Sequence, residues 1–217
     1  MKTIKSLAIA ALLAFTASTH AEPPDASAWQ RLLDGNARFV SGQLQHPHQD
    51  GPRRTEVAAG QKPFAVVIGC ADSRTSPEIL FDQGLGDLFV IRLAGNIVDD
   101  AALGSIEFAV AQLGARLIVV LGHEKCGAVK ATVGVVNGDP VPAGHIGSIV
   151  EAIRPAAQAA KGRDGDPVEN AVRENVHEIV ARLKVSTPIL APLVKAGELQ
   201  VVGARYDLDD GKIGIVP

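Results

Sequence analysis

Two short polar segments, well separated in the chain, carry the side chains best suited to chemistry. The first is Cys70-Ala71-Asp72-Ser73-Arg74, and the second is His123-Glu124-Lys125-Cys126, so both cysteines of the protein lie in these segments. Two thiolates, one imidazole and one carboxylate form a ligand set that suits Zn²⁺, which proteins usually bind tetrahedrally. The spacing therefore predicts a zinc site. Its candidate ligands are Cys70, Asp72, His123 and Cys126.

The fourth ligand decides what such a site can do. If Asp72 stays on the metal, the site is closed and structural; if Asp72 leaves, water can enter and the site can be catalytic. Arg74 lies nearby in sequence, and a guanidinium can hold a carboxylate through two parallel hydrogen bonds. An Asp72–Arg74 pair would draw the carboxylate from the metal and orient it to accept a proton. The residues alone leave both states open.

A Cys70–Cys126 disulfide is the competing interpretation of the two cysteines. It requires an oxidising compartment, which an exported protein would meet. It would leave the neighbouring Asp72 and His123 without a role, and an oxidised protein would bind no zinc.

The elements around the two segments alternate between strand and helix. Continuous apolar runs predict strands buried on both faces, at 64–69, 88–93 and 117–121. A closing hairpin is predicted at 199–204 and 212–216. Helices are predicted at 29–40, 77–81, 100–113, 126–136, 145–160 and 167–184, and a loop at 41–55. This alternation predicts the α/β class: a central, mostly parallel β-sheet flanked by helices, with an N-terminal helical arm and an antiparallel C-terminal edge.

The predicted topology brings both segments to one edge of the sheet. In open α/β sheets, ligands bind beyond the carboxyl ends of the strands. Cys70 follows the 64–69 strand and His123 lies just past the 117–121 strand, so the segments converge if these strands are neighbours. His123 and Cys126 would then share one face of a first helical turn.

The N-terminus has the pattern of a secretory signal peptide, assigned to residues 1–21. Lys2 and Lys5 precede an unbroken apolar run at 7–15, and Thr19-His20-Ala21 could serve as the cleavage site. The run is too short to span a bilayer comfortably, so no stable membrane insertion is expected. We expect an exported protein, periplasmic in a Gram-negative bacterium and secreted otherwise, with residues 22–217 as a single domain.

The composition is that of a globular protein with a small net charge. Hydrophobic residues make up 47% of the chain and aromatic residues only 4%, so the core must consist mainly of Val, Ile, Leu and Ala. The formal net charge is -3, and no basic cluster points to a nucleic acid partner.

The two motifs, Cys70-x-Asp72-Ser73-Arg74 and Gly122-His123-x-x-Cys126-Gly127, resemble those of the β-class carbonic anhydrases. Four further segments are similar to that family: Gly35-Asn36-x-x-Phe39, Gln61-x-Pro63, Arg92-x-Ala94-Gly95-Asn96 and Gly104-Ser105-Ile106-Glu107. The resemblance covers roughly residues 29–217. It implies an α/β fold and assembly as a homodimer or homotetramer, with the N-terminal helix reaching over a neighbouring subunit.

The resemblance also implies a reaction, the reversible hydration of carbon dioxide to bicarbonate and a proton by a zinc-hydroxide mechanism. One Zn²⁺ per subunit would be held by Cys70, His123 and Cys126, with Asp72 as an exchangeable fourth ligand. Asp72 and Arg74 would form a catalytic dyad that gates the metal.

Four further residues match the family's substrate-binding positions. Gln61 would donate to bound bicarbonate, either within its own subunit or from across a dimer interface. Phe89 and Ala94 would form an apolar pocket wall, and the backbone N–H of Gly127 would lie near the substrate. Two alternatives keep the same site: a related hydrolase of carbon disulfide or carbonyl sulfide, and a non-catalytic structural zinc protein.

Overall fold

The computed structural model describes residues 26–217, with side chains from residue 28 onward. The signal peptide predicted at residues 1–21 lies outside the described residues. Within the described part of the chain, no helix is both long enough and apolar enough to cross a membrane.

The described residues form one five-stranded sheet. Its strands are β1 (Ala65–Gly69), β2 (Leu88–Arg92), β3 (Leu117–His123), β4 (Gln200–Tyr206) and β5 (Ile213–Ile215). Their order is β2-β1-β3-β4-β5; the first four run parallel, and β5 is antiparallel to β4 at the edge. The predicted fold class is therefore confirmed, including the antiparallel C-terminal edge.

Helices cover both faces of this sheet. They are α1 (Ala26–Ser41), α2 (Gly51–Val57), α3 (Pro77–Leu80), α4 (Asp100–Ala111), α5 (Gly127–Val136), α6 (Ile146–Ala160), α7 (Pro167–Lys184) and α8 (Leu190–Lys195). A short 3₁₀ turn, Ala94–Asn96, follows β2. The strands and helices expected from apolar runs and helical periodicity are present, with bounds that differ by a few residues.

The loop predicted at 41–55 is present at 42–50, but its last part is wrong, because α2 occupies Gly51–Val57. This helix buries none of its residues, so it has no apolar stripe that a sequence pattern could reveal. Its remaining signal is local: the Asp50 side chain accepts a hydrogen bond from the Arg53 N–H at 2.8 Å, and Pro52 stands in the first turn.

The central strands are buried on both faces, as continuous apolar runs predict. All residues of β1 and β3 are buried. Alternate side chains point to opposite layers. Val66 and Ile68 pack in the layer of α4 and α7, whereas Val67 packs with Leu32 of α1 and with Phe81. Because both faces are covered, polar side chains concentrate beyond the strand ends.

Helix α1 is fixed on the sheet of its own domain. The buried Asn36 amide donates to the Leu80 and Gly211 carbonyls at 3.1 and 2.9 Å, and it accepts from the Ile213 N–H at 3.0 Å. Gly35 permits this approach, since a Cβ there would lie 1.8 Å from the Phe81 carbonyl oxygen. The C-terminal half of α1 therefore belongs to its own subunit's core.

Candidate metal centre

Two neighbouring strand ends bring the two predicted segments together. β1 and β3 are parallel neighbours with Gly69 opposite Leu121, so Cys70 emerges beside the end of β3. His123 is the last residue of β3 itself, because the strand continues its pairing with β4 as far as Tyr206. The edge of the sheet thus places the first thiol next to the imidazole.

Cys126 reaches the same point by a tight turn, and the prediction that His123 and Cys126 share a helical turn is wrong. His123 is still in the strand, and Lys125 adopts a left-handed conformation with a φ of 54° that reverses the chain. Cys126 is then the residue before α5, with an extended φ of -63° and ψ of 121°. The two side chains do converge, but they do so because His123 ends a strand and the turn at Lys125 brings Cys126 back to it at the start of α5.

The ligand atoms of Cys70, His123 and Cys126 lie within 4.8 Å of one another, and all three residues are buried. The two sulfurs are 4.0 Å apart, about twice the ~2.05 Å of a disulfide bond, so both thiols are free. Two sulfurs bound tetrahedrally at about 2.3 Å to one zinc would lie about 3.8 Å apart. The sulfur spacing therefore fits a metal better than a disulfide.

The orientation of His123 adds a second reason to place a metal here. Its Nδ1 lies 2.8 Å from the Glu124 carbonyl oxygen, which can only accept, so Nδ1 carries the proton and Nε2 presents a lone pair. Nε2 is buried, and among the described residues no group hydrogen-bonds to it. A buried polar atom without a partner is costly. A metal ion between the sulfurs and Nε2 would satisfy it.

The two neighbouring thiols shift each other's pKa in opposite directions. A hydrogen bond between the thiols, assisted by the Gly95 and Asp72 N–H groups at 3.2 and 3.4 Å from the Cys70 sulfur, lowers the pKa of Cys70. The hydrogen bond to Cys70, burial and the negative charge of that sulfur raise the pKa of Cys126. A bound metal would stabilise both sulfurs as thiolates, because metal binding displaces thiol protons.

Asp72 lies beside the three converging residues but is engaged elsewhere. The Arg74 guanidinium donates to it twice, Nε to Oδ1 at 2.9 Å and Nη2 to Oδ2 at 2.7 Å, and the Arg74 N–H adds a third bond at 3.0 Å. These bonds hold the pKa of Asp72 below its usual value. Its Oδ2 is 3.8 Å from His123 Nε2, so the carboxylate sits at the rim of the centre.

The four predicted substrate-binding residues occupy different places. Ala94 is half-buried at the start of the 3₁₀ turn, and Gly127 is exposed at the start of α5, directly after Cys126. Phe89 is half-buried in β2 and packs against the core layer of α4 and α7. Gln61 is exposed and lies before the N-terminal end of β1, whereas Cys70 follows the C-terminal end of that strand. The strand between them spans about 16 Å.

Arg92 has a role at this edge that the sequence does not reveal. Its Nε donates to the Cys70 carbonyl at 2.9 Å, and its Nη2 donates to the Asp72 carbonyl at 2.6 Å. The guanidinium thereby holds the backbone that carries two of the predicted ligands. In the sequence, the only indication of this role is that a charged residue ends an otherwise apolar strand.

Comparison with known proteins agrees with this geometry. A family model described as carbonic anhydrase matches residues 65–213. Carbonic anhydrase 2 of Mycobacterium tuberculosis is 48% identical over 187 residues, which cover 86% of this chain and 90% of the relative. The carbonic anhydrase of Mycolicibacterium smegmatis is 47% identical over 187 residues, with 86% and 91% covered.

Solved structures show the same architecture. A β-carbonic anhydrase of Coccomyxa, determined in complex with acetazolamide, superposes with a TM-score of 0.68 at 30% identity, covering 85% of this chain and 84% of the other. The chain therefore belongs to the β-class carbonic anhydrase family. It is an enzyme of the lyase class, and carbon dioxide hydration is the reaction of its family.

Proposed function

We propose that Cys70, His123 and Cys126 hold one zinc ion per subunit, and that the protein hydrates carbon dioxide to bicarbonate there. The observation that carries the proposal is the buried, unpartnered Nε2 of His123 facing two sulfurs that are 4.0 Å apart. When bound, zinc supplies a Lewis acid that makes water nucleophilic near neutral pH.

The protein's own part in the reaction is to hold a base and to shape the pocket. Arg74 fixes the Asp72 carboxylate in its ionised form at the rim, where it can accept a proton from a water at the centre. The same pair keeps Asp72 off the metal, so we propose that it gates the fourth position. The Gly127 N–H, at the start of α5, can donate to a bicarbonate oxygen. Ala94 offers an apolar surface beside it.

The bidentate Asp72–Arg74 pair also favours catalysis over a purely structural metal. A closed site would need Asp72 as its fourth ligand, and in this structure both carboxylate oxygens are bonded to Arg74 instead. The sulfur-containing relatives of carbon dioxide have the same linear shape, so they belong in the test as competing substrates.

The direct test is to measure zinc content and turnover on the same purified protein. We expect about one zinc per chain and rapid hydration of carbon dioxide, lost when a chelator removes the metal and restored when zinc is returned. Carbon disulfide and carbonyl sulfide should be poor substrates. Bound zinc with turnover of only the sulfur compounds would indicate the related hydrolase, and bound zinc without any turnover would indicate a structural site.

The position of Gln61 bears on assembly. Within one subunit Gln61 lies before the N-terminal end of β1 and the metal centre lies beyond its C-terminal end. A bicarbonate contact from Gln61 therefore has to come from a neighbouring subunit. The edge strand β2 is half-exposed and largely apolar, which suits a covered interface. We therefore propose a homodimer, or a homotetramer built from such dimers, in which Gln61 completes the site of its partner.

Mixing two defective variants tests this arrangement. Gln61→Ala should lower turnover about 100-fold because it removes a donor to the developing negative charge. Cys126→Ser should lose the metal. If equal amounts of the two variants are unfolded together and refolded, about half of the dimers contain one subunit of each. Each mixed dimer has one complete site, so about a quarter of all sites regain every group. Activity should return to that level; a mixture no more active than its components would place Gln61 outside the partner's site.

A further inference from the structure

Asn175, a buried residue of α7, is connected to the proposed metal ligand Cys70 by two successive hydrogen bonds through Gly95. Its side chain is 3% exposed, and its Nδ2 donates to the Gly95 carbonyl at 3.0 Å. The N–H of Gly95 in turn donates to the Cys70 sulfur at 3.2 Å. The two backbone polar groups of one glycine thus connect the asparagine with a proposed metal ligand.

Gly95 needs external support because nothing in its own chemistry holds its conformation. Its φ of 70° and ψ of 23° are left-handed, and the next residue of the turn, Asn96, also has a positive φ of 45°. A Cβ at this position would lie 2.5 Å from Cδ1 of Ile153 and 3.1 Å from Cβ of Ala128, so only glycine fits. Glycine, however, visits many conformations freely. A bond to its carbonyl therefore selects the orientation in which its N–H points at the sulfur.

The surroundings of Asn175 show that its amide is placed for this bond. Along α7 its buried neighbours are apolar and include Val172, Val176 and Ile179. A side-chain amide on this buried, apolar face of α7 stabilises the fold less than a leucine would, unless its polar atoms are hydrogen-bonded. The Gly95 carbonyl provides the bond, and it lies 80 residues away in sequence.

We infer that Asn175 is a positioning residue for the metal centre. It fixes Gly95 so that the Gly95 N–H hydrogen-bonds to the Cys70 thiolate and orients it toward the metal. Groups that bind and orient metal ligands in this way commonly affect metal affinity about 10–100-fold. The inference rests on the proposed function in one respect, namely that Cys70 holds the metal.

The experiment compares metal retention in Asn175→Leu and Asn175→Asp with the wild type. Leucine keeps the approximate size and removes the donor. Aspartate keeps the shape but donates to the Gly95 carbonyl only while its buried carboxyl is protonated, so this variant is measured above the pKa of that carboxyl. We expect zinc to bind about tenfold more weakly, measured by competition with a chromophoric chelator. In the Co²⁺-substituted proteins, the sulfur-to-cobalt charge-transfer band should shift, because the Cys70 sulfur loses its hydrogen bond.

Asn36→Leu is the matched control, since Asn36 is also a buried asparagine that donates to backbone carbonyls, but it lies between α1 and the C-terminal hairpin. It should lower the melting temperature and leave zinc affinity and the cobalt spectrum unchanged. If the Asn175 variants behave like this control, the inference is overturned while the zinc proposal stands. A wild-type protein that binds neither metal at this site would overturn both.

Discussion

His123→Ala should abolish zinc binding and carbon dioxide hydration together. Among the described residues, three have converging ligand atoms, namely Cys70, His123 and Cys126, and His123 supplies the nitrogen of this set. Its side chain is 1% exposed. Its removal leaves two thiols that are too few to hold the metal and a buried void that water can enter. Because even residues that merely orient a ligand affect metal affinity about 10–100-fold, loss of the ligand itself should weaken zinc binding by more than ~100-fold.

Zinc content of the purified variant, affinity by chelator competition and stopped-flow hydration kinetics measure this effect. His145→Ala is the matched control: His145 is exposed just before α6, and its side chain does not cap that helix. It should retain full zinc and full turnover. A His123→Ala protein that is properly folded, fully loaded with zinc and active would refute the proposed metal centre.

Arg74→Ala should keep the zinc and lose most of the turnover. Proton transfer by a positioned side chain contributes about 10²–10⁴-fold, so we expect turnover to fall by at least ~100-fold. With Arg74 present, the pKa of Asp72 is held below its usual value. Without it, that pKa should rise toward the usual value of about 3.9, which still leaves the carboxylate ionised at neutral pH. The loss is therefore one of orientation.

This reasoning fixes the pH behaviour of the variant. Because Asp72 is already ionised at neutral pH, raising the pH further cannot deprotonate it and should not restore the activity of Arg74→Ala. On the proposed mechanism, the released carboxylate would be free to bind the metal. Arg74→Lys separates charge from geometry, since an ammonium keeps the charge but cannot form the two parallel hydrogen bonds. It should recover only part of the turnover.

Arg154→Ala is the control for breaking a surface pair of the same kind. Arg154 also binds a carboxylate twice, through Nε to Glu151 Oε2 at 2.8 Å and Nη2 to Oε1 at 2.5 Å. Its loss should leave zinc content and turnover unchanged. If Arg74→Ala likewise turned over at the wild-type rate, Arg74 would have no part in the mechanism, and Asp72 would need another explanation for its position.

The sheet was predictable because its strands satisfy a strong local requirement. β1 and β3 are buried on both faces, so each is a continuous apolar run that can be recognised without neighbours. α2 was not predictable in the same way, because it buries no residue and leaves only its capping signal. The segment at 185–198 carries no comparable pattern, so the sequence does not predict α8 within it.

The sequence by itself determined which side chains could form the centre and that they follow strands, since residue type and strand signals are local properties. It also carries the signal-peptide pattern, which remains a prediction. The tertiary structure decided which groups meet: three converge, and Asp72 turns to Arg74 at the rim. It also decided how they meet, through the left-handed turn at Lys125 and the Gly95 contact to Asn175. These depend on backbone dihedrals and on contacts between distant parts of the chain, which no local pattern encodes.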